Sequence, residues 1–337
     1  MSLSKSLSAP LRAYLNPRFE AVVNRLDRIA DRLDQLSLQG GPGTGQEPAQ
    51  LAAQSRIDVG AVNARYTPAP FASLSSQAVD AAHFDDPAFL DWFPLVGDGG
   101  MHYHRKPWEY AFVLERARQA GLLEAGRRAA GFGVGTEPIP AVLASYGLTV
   151  LATDQALQDA DHWVGSGEHA VAVTSLSRPA VIDDATLAAR VDFAAVDMNH
   201  LPADLGEFDL IWSACAIEHL GSPAAGLDFV RRSLDLLKPG GISVHTTELE
   251  LTVRDATADH GHCAVYRPQD LEEFARQVTS EGYEVELNLY VPMATPTDRF
   301  VALPPYPATD PAHLKLQIFD SVSTSFGLVV RKPVATR

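Results

Sequence analysis

One stretch constrains this chain more than any other. It runs Ala129-Ala-Gly-Phe-Gly-Val-Gly-Thr-Glu-Pro-Ile-Pro140 and is followed by the apolar run Leu148-Thr-Val-Leu-Ala-Thr153, which ends on Asp154. A short apolar lead-in breaks into Gly131, Gly133 and Gly135, and a helical pattern through Ala141, Val142, Leu143 and Tyr146 follows the two prolines. Glycine lets the main chain approach a ligand closely and take positive φ, whereas Pro138 and Pro140 are tolerable only in a helix's first turn. A strand, glycine turn and helix of this kind turns backbone N–H groups and a helix N-terminus toward a ligand. Asp154 lies where the second strand of a nucleotide-binding βαβ unit places the acid that holds ribose hydroxyls.

Two ligand classes fit such a unit, a dinucleotide and S-adenosylmethionine. The dinucleotide spacing G-x-G-x-x-G fails: its third position is Thr136 counted from Gly131 and Pro138 counted from Gly133. The spacing present is G-x-G-x-G.

Further motifs follow in order. Asp192 to Pro202 contains Asp197-Met-Asn199, and Glu207 to Leu220 contains Phe208-Asp-Leu-Ile-Trp212 and Glu218-His-Leu220. A helical stretch from Pro223 to Leu237 then leads through Lys238-Pro-Gly-Gly241 into Ile242-Ser-Val-His-Thr-Thr-Glu248. Over roughly Trp108 to Lys332 this ordered set resembles the class I S-adenosylmethionine-dependent methyltransferases. The resemblance implies an α/β fold, a doubly wound Rossmann-like sheet of seven strands, and S-adenosyl-L-methionine as cofactor. It also implies that Gly131, Gly133 and Gly135 approach the cofactor, that Asp154 holds the ribose and that Asp197, Met198 and Asn199 hold the adenine. The chain departs from the family pattern at one point. Gly131 stands where an acid is usual and Glu137 where the last glycine is usual, so Glu137 is the candidate replacement acid near the methionine amino group. Lys106-Pro-Trp-Glu-Tyr-Ala111 and the His-Thr-Thr-Glu run also resemble a subgroup associated with bacterial glycan and polysaccharide genes, and Tyr110 becomes a candidate contact to the methionine end.

In an open parallel sheet ligands bind beyond the carboxyl ends of the strands, which selects Glu218 and His219 after the fourth strand and His245 and Glu248 on the fifth. Methyl transfer to a hydroxyl needs the acceptor oxygen held in line and its proton removed as it attacks. His245 is the first candidate base, with Glu248 or Glu218 orienting it, and His219 the second. The run Asp259-His-Gly-His262-Cys263 invites a metal reading, but ligands bunched on one loop do not make a closed zinc pattern, and no metal is expected. The expected reaction is O-methylation of a sugar or glycan-related hydroxyl, with N-methylation of an amino sugar a close variant that sequence does not separate. A nicotinamide-dependent oxidoreductase and a non-catalytic assembly protein for glycan synthesis are the alternatives.

The chain has 337 residues, 46% of them hydrophobic, enough for one large α/β core. With 27 basic against 42 acidic residues, a formal net charge of −15, broad contact with a nucleic-acid backbone is not expected. Cys215 and Cys263 are the only cysteines, and no run approaches a membrane span or a signal peptide, which fits a cytoplasmic enzyme. Phe19, Val22, Leu26, Ile29, Leu33 and Leu36 alternate at spacings of three and four on a polar helix, a heptad seam that predicts a coiled-coil-like helix over 1–38 and a homo-oligomer through 19–36. A flexible linker is expected over 39–54 and an arm or lid over 55–107, before the catalytic domain at 108–337. Expected strands lie near 128–131, 148–153, 191–196, 208–213, 241–247, 284–290 and 325–331. Helices are expected at Glu109 to Leu123 and Arg267 to Ser280, and at His313 to Phe319 within the Pro-rich segment Pro292 to Phe319, read as a wall of the acceptor pocket.

Overall fold

The computed structural model describes residues 64–334 apart from 98, 157–168, 203, 254 and 260–262. The chain divides into two compact units, Met1–Asp58 and Val59–Arg337. The first unit lies outside the described residues, and with it the expected heptad helix, its linker and the start of the arm. His260 and His262 of the metal reading also lie outside them.

The strands of the second unit are β1 (Gln77–Ala78), β2 (Arg128–Phe132), β3 (Thr149–Asp154), β4 (Val191–Ala195), β5 (Phe208–Ala214), β6 (Leu237–Glu250), β7 (Ala258–Asp259), β8 (Ala264–Val265), β9 (Val301–Ala302), β10 (Lys315–Ile318) and β11 (Ser321–Arg331). Nine of them form one sheet in the order β4-β3-β2-β5-β6-β11-β10-β9, with β1 on β11; β7 and β8 make a separate hairpin. The pairs from β4 to β6 are parallel, and β11 runs antiparallel to β6. The order reverses between β2 and β5, which makes the cleft at their carboxyl ends the topological switch point. The expected doubly wound Rossmann-like order is present, with extra strands at the antiparallel edge.

The helices are α1 (Pro87–Val96), α2 (Arg105–Gln119), α3 (Ile139–Ser145), α4 (Asp184–Arg190), α5 (Pro223–Ser233), α6 (Pro268–Ser280) and α7 (Pro296–Arg299). Successive residues of a strand point to opposite faces, and the central strands are apolar at both parities. Ala129, Leu210 and Val244 therefore join one core with α1, α2 and α3, while Ala130, Ile211 and Leu328 join another with α5 and α6. The described part of the expected arm packs into the first core through Phe71, Phe89 and Trp92. β1 also pairs with β11, at Gln77–Gly327 and Ala78–Phe326.

Two expected elements differ. Residues 313–319, expected as helix, contain strand β10, paired with β11 from Lys315–Thr324 to Ile318–Ser321. Leu314, Leu316 and Ile318 alternate with Lys315 and Gln317, a period of two that fits a strand. Lys315 is buried too, and its Nζ donates to the Pro292 and Asp298 carbonyls. The expected strand 284–290 makes only isolated bridges, Glu284 to Arg331, Leu287 to Ser76 and Asn288 to Arg65, because β1 and β10 share the outer edge of β11.

Candidate active site

A cavity of about 530 Å³ opens at the carboxyl ends of the parallel strands. The turn after β2 forms one side, with Gly133 and Gly135 at φ 62° and 50°. A Cβ on Gly133 would stand 2.8 Å from the Ala216 Cβ, so the two strand-end loops touch there. Gly131 has another role. It lies on β2 and does not line the cavity; a Cβ there would stand 2.2 Å from Trp212 Cζ2, so this glycine makes room for the indole.

Asp154, the last residue of β3, is held by backbone donors. Its Oδ2 accepts from Gly135 N at 3.0 Å and Ala170 N at 3.2 Å, and its Oδ1 from Gln155 N at 2.8 Å. These bonds lock the carboxylate across the glycine turn. Beyond β4, Asp197 accepts from Asn199 N at 2.8 Å and pairs with His200 Nδ1 at 2.7 Å, and the His200 bond holds its carboxyl below the usual range. Met198 is buried with its sulfur 3.5 Å from the Cβ position of Gly133, and Asn199 lines the cavity beside it.

Glu137 lines the cavity just before α3 and is buried, and its Oε1 accepts from Trp212 Nε1 at 2.6 Å. Burial pushes its carboxyl up to about 8. Tyr110 of α2 lines the same end, and Lys106 one turn earlier reaches Glu109 at 3.1 Å.

The other end of the cavity holds Glu218, His219 and Glu248. Glu218 sits in the single turn Ile217–His219 after β5 and accepts from Thr247 Oγ1 at 3.1 Å. Burial raises its carboxyl, nearby Glu248 adds to the shift and His219 opposes it. Glu248 is charge-compensated: Arg105 is ion-paired to its Oε1, and Ser323 Oγ donates to Oε2 at 2.7 Å. Cys215 stands between them at φ 52°, a strained conformation for a non-glycine residue, and burial drives its thiol well up. The thiol and one carboxylate oxygen each from Glu218 and Glu248 lie within 4.8 Å of one another. Such a donor set can hold a cation, but Arg105 and Ser323 already occupy Glu248 and the thiol is held protonated. The set is better matched to receiving hydrogen bonds from an acceptor. Tyr306 and His313 form the facing wall, their rings 5.4 Å apart at 87°.

His245 is not in this cavity. Its Nδ1 is 2.8 Å from Ser213 Oγ and its Nε2 2.6 Å from Ser243 Oγ, and burial pushes its imidazole down to about 3. The expectation ended the fifth strand near 247 with His245 and Glu248 both at the cleft, but β6 continues to Glu250; Glu248 lines the cleft and His245 faces the core beside Phe229. Arg105 and Cys215 were not singled out from sequence; Tyr306 and His313 lie in the segment 292–319 expected as a pocket wall, though neither was given a role. Cys215 follows directly on the β5 strand and was legible from that position; Arg105 owes its place to tertiary packing.

Residues 131–245 match the family model described as a methyltransferase domain. Together with the strand order and the glycine turn facing Asp154, this decides the family. The chain carries a class I S-adenosylmethionine-dependent methyltransferase domain. The nicotinamide alternative is set aside. Solved structures similar to the methyltransferase include the glycopeptide N-methyltransferase MtfA, at 11% identity over 67% of this chain and 90% of that one, with a TM-score of 0.39. Two others are a DhpI complex with S-adenosylhomocysteine (16% identity, 66% and 83% covered, TM-score 0.37) and CcbJ from Streptomyces caelestis (14% identity, 66% and 94% covered, TM-score 0.37). At such overlap nothing about acceptor or chemistry carries over from them. No curated protein matches the chain in sequence. Among the described residues, no helix is long and apolar enough to cross a membrane.

The residues present fit the cofactor. A side chain at Gly133 would collide with Ala216, so the turn stays open to a ligand, and Gly133 and Gly135 at positive φ border the cavity beside Asp154.

Proposed function

We propose that the enzyme methylates a hydroxyl of a sugar or glycan-related small molecule, with Glu218 as general base. Bound S-adenosylmethionine supplies an electrophilic methyl group on its sulfonium. In this reading Asp154 accepts from a ribose hydroxyl and Asp197, Met198 and Asn199 border the adenine. Glu137, ionised, faces the methionine ammonium beside Tyr110. At the far end, Glu218 accepts the hydrogen bond of the acceptor hydroxyl and takes its proton as the oxygen attacks, while Glu248 stays ionised against Arg105 and orients a neighbouring hydroxyl. Tyr306 and His313 offer ring faces to the C–H side of a saccharide.

The observation that carries this reading is the pair of unlike carboxylates, Glu218 and Glu248, at one end of the cavity that holds Asp154 at the other. Two acids in unlike surroundings, one buried and one ion-paired, divide into a base and an orienting group. A base needs a raised proton affinity, which burial gives Glu218, whereas Glu248 is already ion-paired to Arg105. Glu218→Gln should lower turnover by about 10²–10⁴-fold with S-adenosylhomocysteine affinity unchanged. The measurement is product mass spectrometry over a panel of sugars and amino sugars; undiminished turnover removes Glu218 from the reaction, and methylation of amines alone replaces the hydroxyl reading. We also propose that the heptad seam over 19–36 drives self-association, on its sequence pattern.

A further inference from the structure

Among the described residues lining the cavity, His169 is the imidazole whose surroundings do not account for it. Its side chain is 4% exposed, and neither ring nitrogen has a hydrogen-bond partner. Nδ1 lies 3.4 Å from Asp154 Oδ1. The next residue ties this stretch to the same carboxylate, since Ala170 N donates to Asp154 Oδ2. The backbone therefore clamps His169 against the end of β3, with its ring on the cavity wall. A buried polar ring without partners is costly, and one held in place at a ligand cleft calls for a ligand group to satisfy it.

Asp154 cannot supply that satisfaction alone. Its oxygens already take three backbone N–H donors, from Gly135, Gln155 and Ala170. A neutral imidazole has one donor and one acceptor nitrogen. Nδ1 faces the carboxylate at 3.4 Å without a hydrogen bond to it, so the Nδ1–H tautomer sets its donor toward Asp154 and leaves Nε2 as an acceptor, while the three backbone donors leave Asp154 one lone-pair site for a ligand. A group that offers two adjacent hydrogen-bond donors at this point matches a carboxylate oxygen and an imidazole nitrogen side by side. A vicinal diol has that chemistry.

We propose that His169 is a cofactor-binding residue whose Nε2 accepts from one ribose hydroxyl of the adenosyl group while Asp154 accepts from the other. The proposal rests on the placement of the ribose at Asp154. It makes the grip on the diol two-sided.

The test is calorimetric titration of the full-length wild type, His169→Phe, His169→Gln and Asp154→Ala with S-adenosylhomocysteine, its 2′-deoxy and 3′-deoxy analogues, and S-inosylhomocysteine. Thermal melts serve as the folding control. His169→Phe should weaken S-adenosylhomocysteine binding by about tenfold, the loss of one hydrogen bond and the exposure of its partner. It should also abolish the penalty for removing one of the two hydroxyls, while leaving the other penalty intact. His169→Gln, which keeps an acceptor, should recover part of both effects. Unchanged affinity, or an equal loss for every nucleoside, overturns the proposal. So does lost discrimination against the inosine analogue, which would put the ring on the base. If Asp154→Ala shows no change in hydroxyl discrimination, the ribose placement itself fails; if it does and His169→Phe does not, only the present inference fails.

Discussion

Glu137 is the residue where the chain departs from its family's pattern, and its chemistry can be read in solution. Replacing it by glutamine keeps the size and the oxygen that accepts from Trp212 Nε1 at 2.6 Å, and removes only the ionisation. In the folded protein burial lifts the carboxyl from 4.5 to about 8. The folded state thus binds one more proton than the unfolded chain between these values. The stabilisation linked to that proton is fully present below pH 4.5, is lost as pH rises toward about 8, and changes no further above it. The slope is about 1.4 kcal/mol per pH unit, or on the order of 2–4 °C in melting temperature for each kcal/mol in a domain of this size. Other groups titrate over the same range, so the quantity to read is the difference between Glu137→Gln and wild type in ligand-free protein at pH 5, 6, 7, 8 and 9. The glutamine variant should gain on the wild type steadily up to pH 8, and the gain should then level off. Binding adds a second readout. If the ionised carboxylate faces the methionine ammonium, S-adenosylhomocysteine must displace the proton, and titrations at pH 6.5 in buffers of different ionisation enthalpy should report close to one proton released by wild type and none by the variant. A stability difference that does not vary with pH would refute the raised affinity. Equal proton release by both proteins would refute the contact with the cofactor.

Three further outcomes are expected. Asp154→Ala should weaken S-adenosylhomocysteine binding at least tenfold, since a charge-assisted bond to a ribose hydroxyl contributes on the order of 1.5–3 kcal/mol; calorimetry showing unchanged affinity removes the ribose assignment. His245→Ala should cost about 2–4 kcal/mol in urea unfolding, through a core cavity and two unpaired serine hydroxyls, yet leave turnover at saturating substrates near wild type; a 100-fold loss of turnover with normal stability would return His245 to the reaction. Deleting residues 1–45 should lower the mass seen by light scattering and leave cofactor binding intact, and an unaltered oligomer would assign the seam to packing within one chain.

Sequence alone determined the core of this protein because its signals are local. Residues 129–140 specify a strand, a turn that demands glycine at positive φ, and a helix with proline in its first turn. Apolar runs at 148–153 and 208–213 specify strands buried on both faces, and their order with Asp154, Asp197 and Lys238-Pro-Gly-Gly241 is enough to read the family and the cofactor. Glu218, His219 and Glu248 were legible as a group for the same reason, since strand ends face the cleft. Which member acts was not legible. His245 and Glu248 are three residues apart on one strand, and only the pairing of β6 with β5 and β11 decides how far the strand runs and which side chain emerges. The surroundings of the two acids are built by Arg105, Thr247 and Ser323, which come from three separate elements. Strand β10 was missed because a short apolar alternation reads weakly until an edge strand is there to pair with it. His169 carried no sequence signal at all: a lone histidine acquires meaning only when folding buries it beside Asp154 and leaves its ring unpaired. Hydrophobic period and turn chemistry are written along the chain, whereas burial and charge pairing arise between segments distant in sequence, so the scaffold was determined by the sequence and the chemistry of the acceptor end by the tertiary structure.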